Sequence, residues 1–167
     1  GLPQGGGHWG AQQKCGSRAT PAALAIDNGF RIVIYFAGIK NNLLEQTTKR
    51  LKKDLLTESD NSRYFKVYQS PSVKTNGHND IKGALKLNRK PAILITVLKH
   101  TKHISELTEI FKTIEVRQAL GNNGVLIIDD EADQASLNTY ARKNSKSEDW
   151  EDDEFSSTYS SILDLRA

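Results

Sequence analysis

The ten residues Gly124-Val125-Leu126-Ile127-Ile128-Asp129-Asp130-Glu131-Ala132-Asp133 restrict this chain more than any other stretch. A short apolar run with no polar break, opened by a glycine turn, predicts a strand buried on both faces, as in a parallel sheet. Four carboxylates then follow within five residues. At the C-terminal edge of such a strand they stand where open α/β sheets bind ligands. Carboxylates this close repel one another unless a cation neutralises them or solvent screens them. One reading is a metal-and-water centre, with Asp130 on a magnesium ion and Glu131 orienting or deprotonating an attacking water. The plainer one is an acidic loop after a core strand.

The rest of the chain agrees with a layered fold. Arg31 to Ala37 and Ala92 to Leu98 are apolar, β-branched runs that predict two more buried strands, and Arg63 to Gln69 predicts a third. Between them the apolar spacing turns helical. Leu44, Leu51 and Leu55 share one face, with Lys49, Arg50, Lys52 and Lys53 largely on the other. Ile104, Leu107, Ile110, Phe111 and Ile114 recur as one core-facing helix. A short helix before Asn28-Gly29, another over Ile81 to Leu87 capped by Asp80, and a last one from Ser156 or Ser157 complete the pattern. Strands alternating with helices predict the α/β class, with a mostly parallel sheet and helices on both faces.

Charge is divided unevenly. Residues 1–128 carry 19 Lys/Arg against 9 Asp/Glu, a balance of +10, whereas residues 129–167 carry 4 against 11, a balance of −7. A basic body with an acidic edge suits a polyanion-binding face beside a metal-binding rim, and equally a solvated surface with an acidic loop over residues 144–154. Cys15 is the single cysteine, which excludes an internal disulfide and a cysteine-based zinc site. His100 and His103 have no Cys or carboxylate companion nearby in sequence, so they read as surface histidines. No apolar run reaches the ~18 residues of a membrane span, so a cytoplasmic setting with no membrane partner is expected.

Asp130-Glu131-Ala132-Asp133 is a D-E-A-D tetrad, and the segment resembles motif II of the superfamily 2 helicases and translocases. The longer string from Leu126 to Thr139 is similar to the Z-one domain family of endonuclease-linked, helicase-like proteins found beside bacterial restriction-modification genes. Leu43-Leu44-Glu45-Gln46 resembles motif Ia, and Thr96-Val97-Leu98-Lys99 stands where that group carries motif Ib. The resemblance covers roughly residues 24–165 and implies a partial RecA-like first motor domain over residues 21–167. It also implies ATP and Mg2+ as cofactors of the intact parent, DNA as partner, and contact with restriction-modification subunits. By the same resemblance Glu131 is the catalytic carboxylate, Asp130 the metal ligand, and Asp130, Glu131 and Asp133 line the nucleotide site. Gly38, Lys40, Asn41, Gln46, Thr96 and Lys99 then become the nucleic-acid contacts.

Residues 1–20 hold six glycines and no periodic apolar pattern, so they are expected to be disordered. They nevertheless stand where the family keeps its phosphate-binding loop, and Lys14 falls at the place of the loop lysine. His8 and Gln13 occupy glycine positions and Cys15 replaces the metal-binding hydroxyl, while Pro21 predicts a break early in the following helix. Such a loop is degenerate, because bulky side chains obstruct the backbone N–H groups that wrap a phosphate. The expectation is therefore a piece of a longer ATP-dependent, DNA-acting helicase-like protein, inactive by itself. The alternative is a non-catalytic RecA-like module that binds nucleic acid or protein through its basic face.

Overall fold

The computed structural model describes residues 19–56, 65–129 and 157–166. In chain order the elements are α1 (Ala19–Asp27), β1 (Phe30–Phe36), α2 (Asn41–Leu56), β2 (Phe65–Gln69), a 3-10 turn (Val73–Thr75) and α3 (Gly77–Lys86). They continue with β3 (Ala92–Val97), α4 (Thr101–Lys112), α5 (Ile114–Leu120), β4 (Gly124–Asp129) and α6 (Ser157–Arg166). The four strands form one sheet in the order β2-β3-β1-β4, and every pair is parallel. Parallel neighbours need a crossover between them, which is the role of the intervening helices.

Alternation along each strand builds two cores. Ile32, Ile34, Phe36, Ile93, Ile95 and Val97 face α3, α4, α5 and α6, meeting Ile81, Ile104, Leu107, Ile110, Val116 and Ile162. Val33, Tyr35 and Leu94 face α1 and α2, meeting Ala22, Ala25, Leu51 and Leu55. The sheet is thus covered by helices on both faces, as the sequence predicts. No helix among the described residues is long and apolar enough to cross a membrane.

Four local expectations need correction. β4 is only partly buried along its length rather than fully buried, because it lies at the end of the strand order among the described residues. The periodic segment after Lys99 is two helices, not one. Thr113 is extended (φ −64°, ψ 128°) between α4 and α5, so the helical phase resets; Ile114 is 69 % exposed and Val116 takes the core position instead. Helix α3 begins at Gly77, and its N-cap is Asn76 in the left-handed region, which places Asp80 inside the first turn instead of at the cap. Pro21 does not break α1. It stands third in the helix, where the backbone N–H has no intrahelical partner to lose.

Candidate functional site

A parallel sheet opens all its C-terminal strand ends on one rim, and the register fixes which residues meet there. Phe36 pairs with Val97 on one side and Asp129 on the other, and Tyr35 pairs with Thr96. Asp129 is the last residue of β4, as the sequence predicts. Gly38 follows β1 in the left-handed region (φ +82°), and its carbonyl accepts the Lys99 N–H at 2.8 Å. Gly38, Thr96, Lys99 and Asp129 therefore share one rim, and α2 and α4 both start from it.

The rim has two differently built sides. On the α2 side, Thr48 Oγ1 and Thr96 Oγ1 lie 2.7 Å apart with both residues buried. Thr48 Oγ1 donates to the Leu44 carbonyl at 2.8 Å, so its single proton is committed along its own helix. The Thr96 hydroxyl is consequently the donor in the Thr–Thr contact. On the opposite side, Lys99 Nζ lies 2.5 Å from Asp129 Oδ1, with the lysine side chain 0 % exposed and the aspartate 25 %. That oxygen accepts no well-directed hydrogen bond among the described residues, so the contact is an ion pair held by charge.

The nucleic-acid contacts implied by the resemblance divide accordingly. Lys40, Asn41 and Gln46 are exposed at the start of α2, and the Lys40 carbonyl caps that helix by accepting from Leu43 (3.0 Å) and Leu44 (3.3 Å). Gly38 is buried, and the Thr96 and Lys99 side chains are turned inward onto Thr48 and Asp129. At a strand end this close to the core, both side chains are drawn into internal partnerships. Lys14, Asp130, Glu131 and Asp133 lie outside the described residues.

Sequence reasoning passed over Thr48, Ser70 and the lysine partner of Asp129 at this rim. Thr48 reads as an ordinary helix residue, and only its distant partner reveals it. Asp129 reads as the first of four acids, with nothing local to mark its lysine. Ser70, just past β2, has φ +44°, its N–H donates to the Thr96 carbonyl at 2.8 Å, and its hydroxyl is buried without a hydrogen-bond partner among the described residues. Positive φ at a non-glycine residue stores strain, which is found at functional rims more than elsewhere.

His100 caps α4, its Nδ1 accepting from the Lys102 N–H at 3.3 Å, and its ring meets His103 edge-on at 6.0 Å between centroids. No group of three or more His, Cys, Asp or Glu side chains among the described residues could hold a metal ion. Arg31 reaches the other end of the molecule, donating to the Leu85 carbonyl near the end of α3 at 3.4 Å. Burial lowers its pKa below the usual guanidinium value. Compared with protein-family models, with curated proteins and with solved structures, the chain matches none.

Proposed function

We propose that this chain is part of an ATP-dependent, DNA-acting helicase-like motor of a restriction or defence system. One observation carries the reading: the strand that leads into Asp130-Glu131-Ala132-Asp133 ends at Asp129, on the rim it shares with Gly38 and Thr96. That is the edge where a parallel sheet receives ligands. By resemblance Asp130 would carry Mg2+, which when bound offsets charge on a nucleotide's phosphates, and Glu131 would orient the attacking water. Asp133 would line the same site, and Lys14 would be the only remnant of a phosphate loop. Lys40, Asn41 and Gln46 at the start of α2 are the exposed groups that would meet a DNA backbone. Restriction-modification subunits are the protein partners this reading implies.

A second reading is favoured by His8, Gln13 and Cys15, which depart from a working phosphate loop. In it the chain is a non-catalytic module that binds nucleic acid or protein through its basic side. Two measurements on the chain separate the readings. The first is DNA affinity against salt, with Lys40, Lys52 and Lys53, all exposed, changed to Gln together. Both readings expect weaker binding and a log–log salt slope shallower by about 2 to 3, from roughly 0.9 counterions released per phosphate contact. Unchanged affinity would remove the DNA partner from both. The second is the thermal shift on adding Mg2+, in the wild type and in Asp130→Asn. The motor reading expects a stabilisation that Asp130→Asn abolishes, and equal shifts in the two proteins would leave only the binding module.

A further inference from the structure

We propose that the outer edge of β4 is a docking surface for a second copy of this chain: two β4 strands pair antiparallel about a two-fold axis and join two four-stranded sheets into one. This contact needs neither nucleotide nor metal, so it stands apart from the motor reading.

Among the described residues β4 has one neighbour, β1. Its side chains nonetheless serve both faces of the sheet. Val125 and Ile127 pack against the core under α3 to α6, and Leu126 and Ile128 against the core under α1 and α2. All four stay partly exposed, whereas their register partners Ile32, Val33, Ile34 and Tyr35 are at most 1 % exposed. The two edges of the sheet also meet solvent differently. At the far edge β2 exposes Lys66 and Gln69, and a charge on an edge strand discourages strand addition. From Gly124 to Ile128 the β4 edge carries no charge and no proline. An unguarded edge between helix layers accepts a strand that is itself apolar on both faces. Residues 1–18, 57–64 and 130–156 hold no run of more than two apolar residues, short of the roughly four that such a strand takes. β4 of a second copy meets the requirement.

Symmetry and charge favour the same occupant. Identical edges related by a two-fold axis pair antiparallel. Pairing centred on Leu126 sets Asp129 opposite Asn123 of the second copy. The two Asp129 carboxylates then stand six residues apart along the seam, roughly 20 Å at about 3.4 Å per residue, where salt screens their repulsion. Each acidic end meets the turn between α5 and β4 of the other copy. Arg117 is exposed on the last turn of α5, and no acid stands between it and Gly124. Each covering layer also offers an exposed leucine to extend the seam, Leu24 on α1 and Leu163 on α6.

The test is sedimentation velocity with hydrogen–deuterium exchange on the full chain between about 0.5 and 200 µM, the range that suits a small edge interface. The expected result is a monomer that becomes a dimer as concentration rises. Alternate amides of residues 124–129 should exchange about fivefold or more slowly in the dimer, with residues 65–69 unchanged within about twofold. Leu126→Lys puts two like charges together at the axis and should weaken dimerisation about tenfold or more. Lys66→Gln, on the other edge, should leave it within about twofold. Circular dichroism melts verify folding, and if Leu126→Lys unfolds, exchange on the wild type decides alone. A monomer throughout overturns the proposal. So does a dimer whose residues 124–129 exchange as in the monomer, because the contact then lies elsewhere. Growth beyond the dimer overturns it too, since a two-fold pair closes with both β4 edges used.

Discussion

The paired threonines at the rim give an unequal prediction for two substitutions of the same kind. Thr48→Val and Thr96→Val each exchange a hydroxyl for a methyl of similar shape, and both residue types are β-branched, so helix and strand propensities nearly cancel. The hydrogen-bond directions do not cancel. In Thr96→Val the Thr48 hydroxyl still donates to the Leu44 carbonyl, so one contact is lost and no donor is stranded. The cost is that of one ordinary net hydrogen bond, about 1 kcal/mol. Thr48→Val takes away the acceptor of the Thr96 hydroxyl at a residue 0 % exposed, and a stranded buried donor raises the cost to about 2 to 3 kcal/mol. The double variant leaves no orphan and should be less destabilised than Thr48→Val alone. Urea unfolding with a common slope reads these differences directly, and each 1 kcal/mol corresponds to a melting shift of roughly 2 to 4 °C at this size. If Thr96→Val were at least as costly as Thr48→Val, the assigned donor direction would be wrong. Strict additivity in the double variant would show that the two hydroxyls do not interact.

Three further outcomes are expected. The chain alone should hydrolyse ATP no faster than a buffer blank, given His8, Gln13 and Cys15; turnover abolished by Glu131→Gln would overturn this and make Lys14 a phosphate ligand. In α3, Gly83→Ala should stabilise by about 0.5 to 1 kcal/mol, because a methyl there meets nothing within 4 Å, whereas Gly77→Ala, at the first position of the helix, should destabilise. The Gly77 methyl would lie 2.9 Å from Ser72 backbone atoms, and equal melting temperatures for the two variants would refute the contrast. Burial first, and Asp80 second, raise the Tyr68 pKa above its usual value. The native state therefore holds that proton more tightly, and its contribution to stability is present below the ordinary tyrosine range and lost as pH rises through the raised value. Alkaline denaturant titrations should show this decline in the wild type and a smaller one in Tyr68→Phe.

Much of the architecture was legible because it is written in local pattern. Ile32 to Phe36 is an unbroken apolar run and Ala92 to Val97 is apolar but for Thr96, and both are buried parallel strands. Leu44, Leu51 and Leu55 share a helix face by spacing alone, and all three are buried. What escaped was set at a distance. Nothing in Val125 to Ile128 says that their strand has a neighbour on one side only among the described residues, since strand order is decided by the whole sheet. Ile114 continues the period of α4 in sequence, and one extended residue, Thr113, is enough to turn it outward. At the rim, Gly38, Thr96 and Asp129 could be placed together from the parallel sheet. Lys99 could not be told from an exposed lysine such as Lys40, because its countercharge is thirty residues away and two strands over.

The strand order also dictates when the sheet can exist at all. β1 precedes the other described strands in the chain, yet it lies inside the sheet, between β3 and β4. Ile32 pairs with Ile93 and Val33 with Leu126, separations of 61 and 93 residues, so neither flank of the central strand is available when it leaves the ribosome. Closing chain segments of that length costs entropy before any pairing rewards it, which makes this topology slow to assemble compared with a hairpin sheet. Until residues 92–97 emerge, neither described neighbour of the FRIVIYF strand β1 is in place, and among the described elements α1 and α2 are the ones made by then that cover the face carrying Val33 and Tyr35. The interval between synthesis of Phe36 and synthesis of Asp129 is thus the period in which this chain is open to wrong strand partners, and chaperone capture or slowed translation would matter most within it.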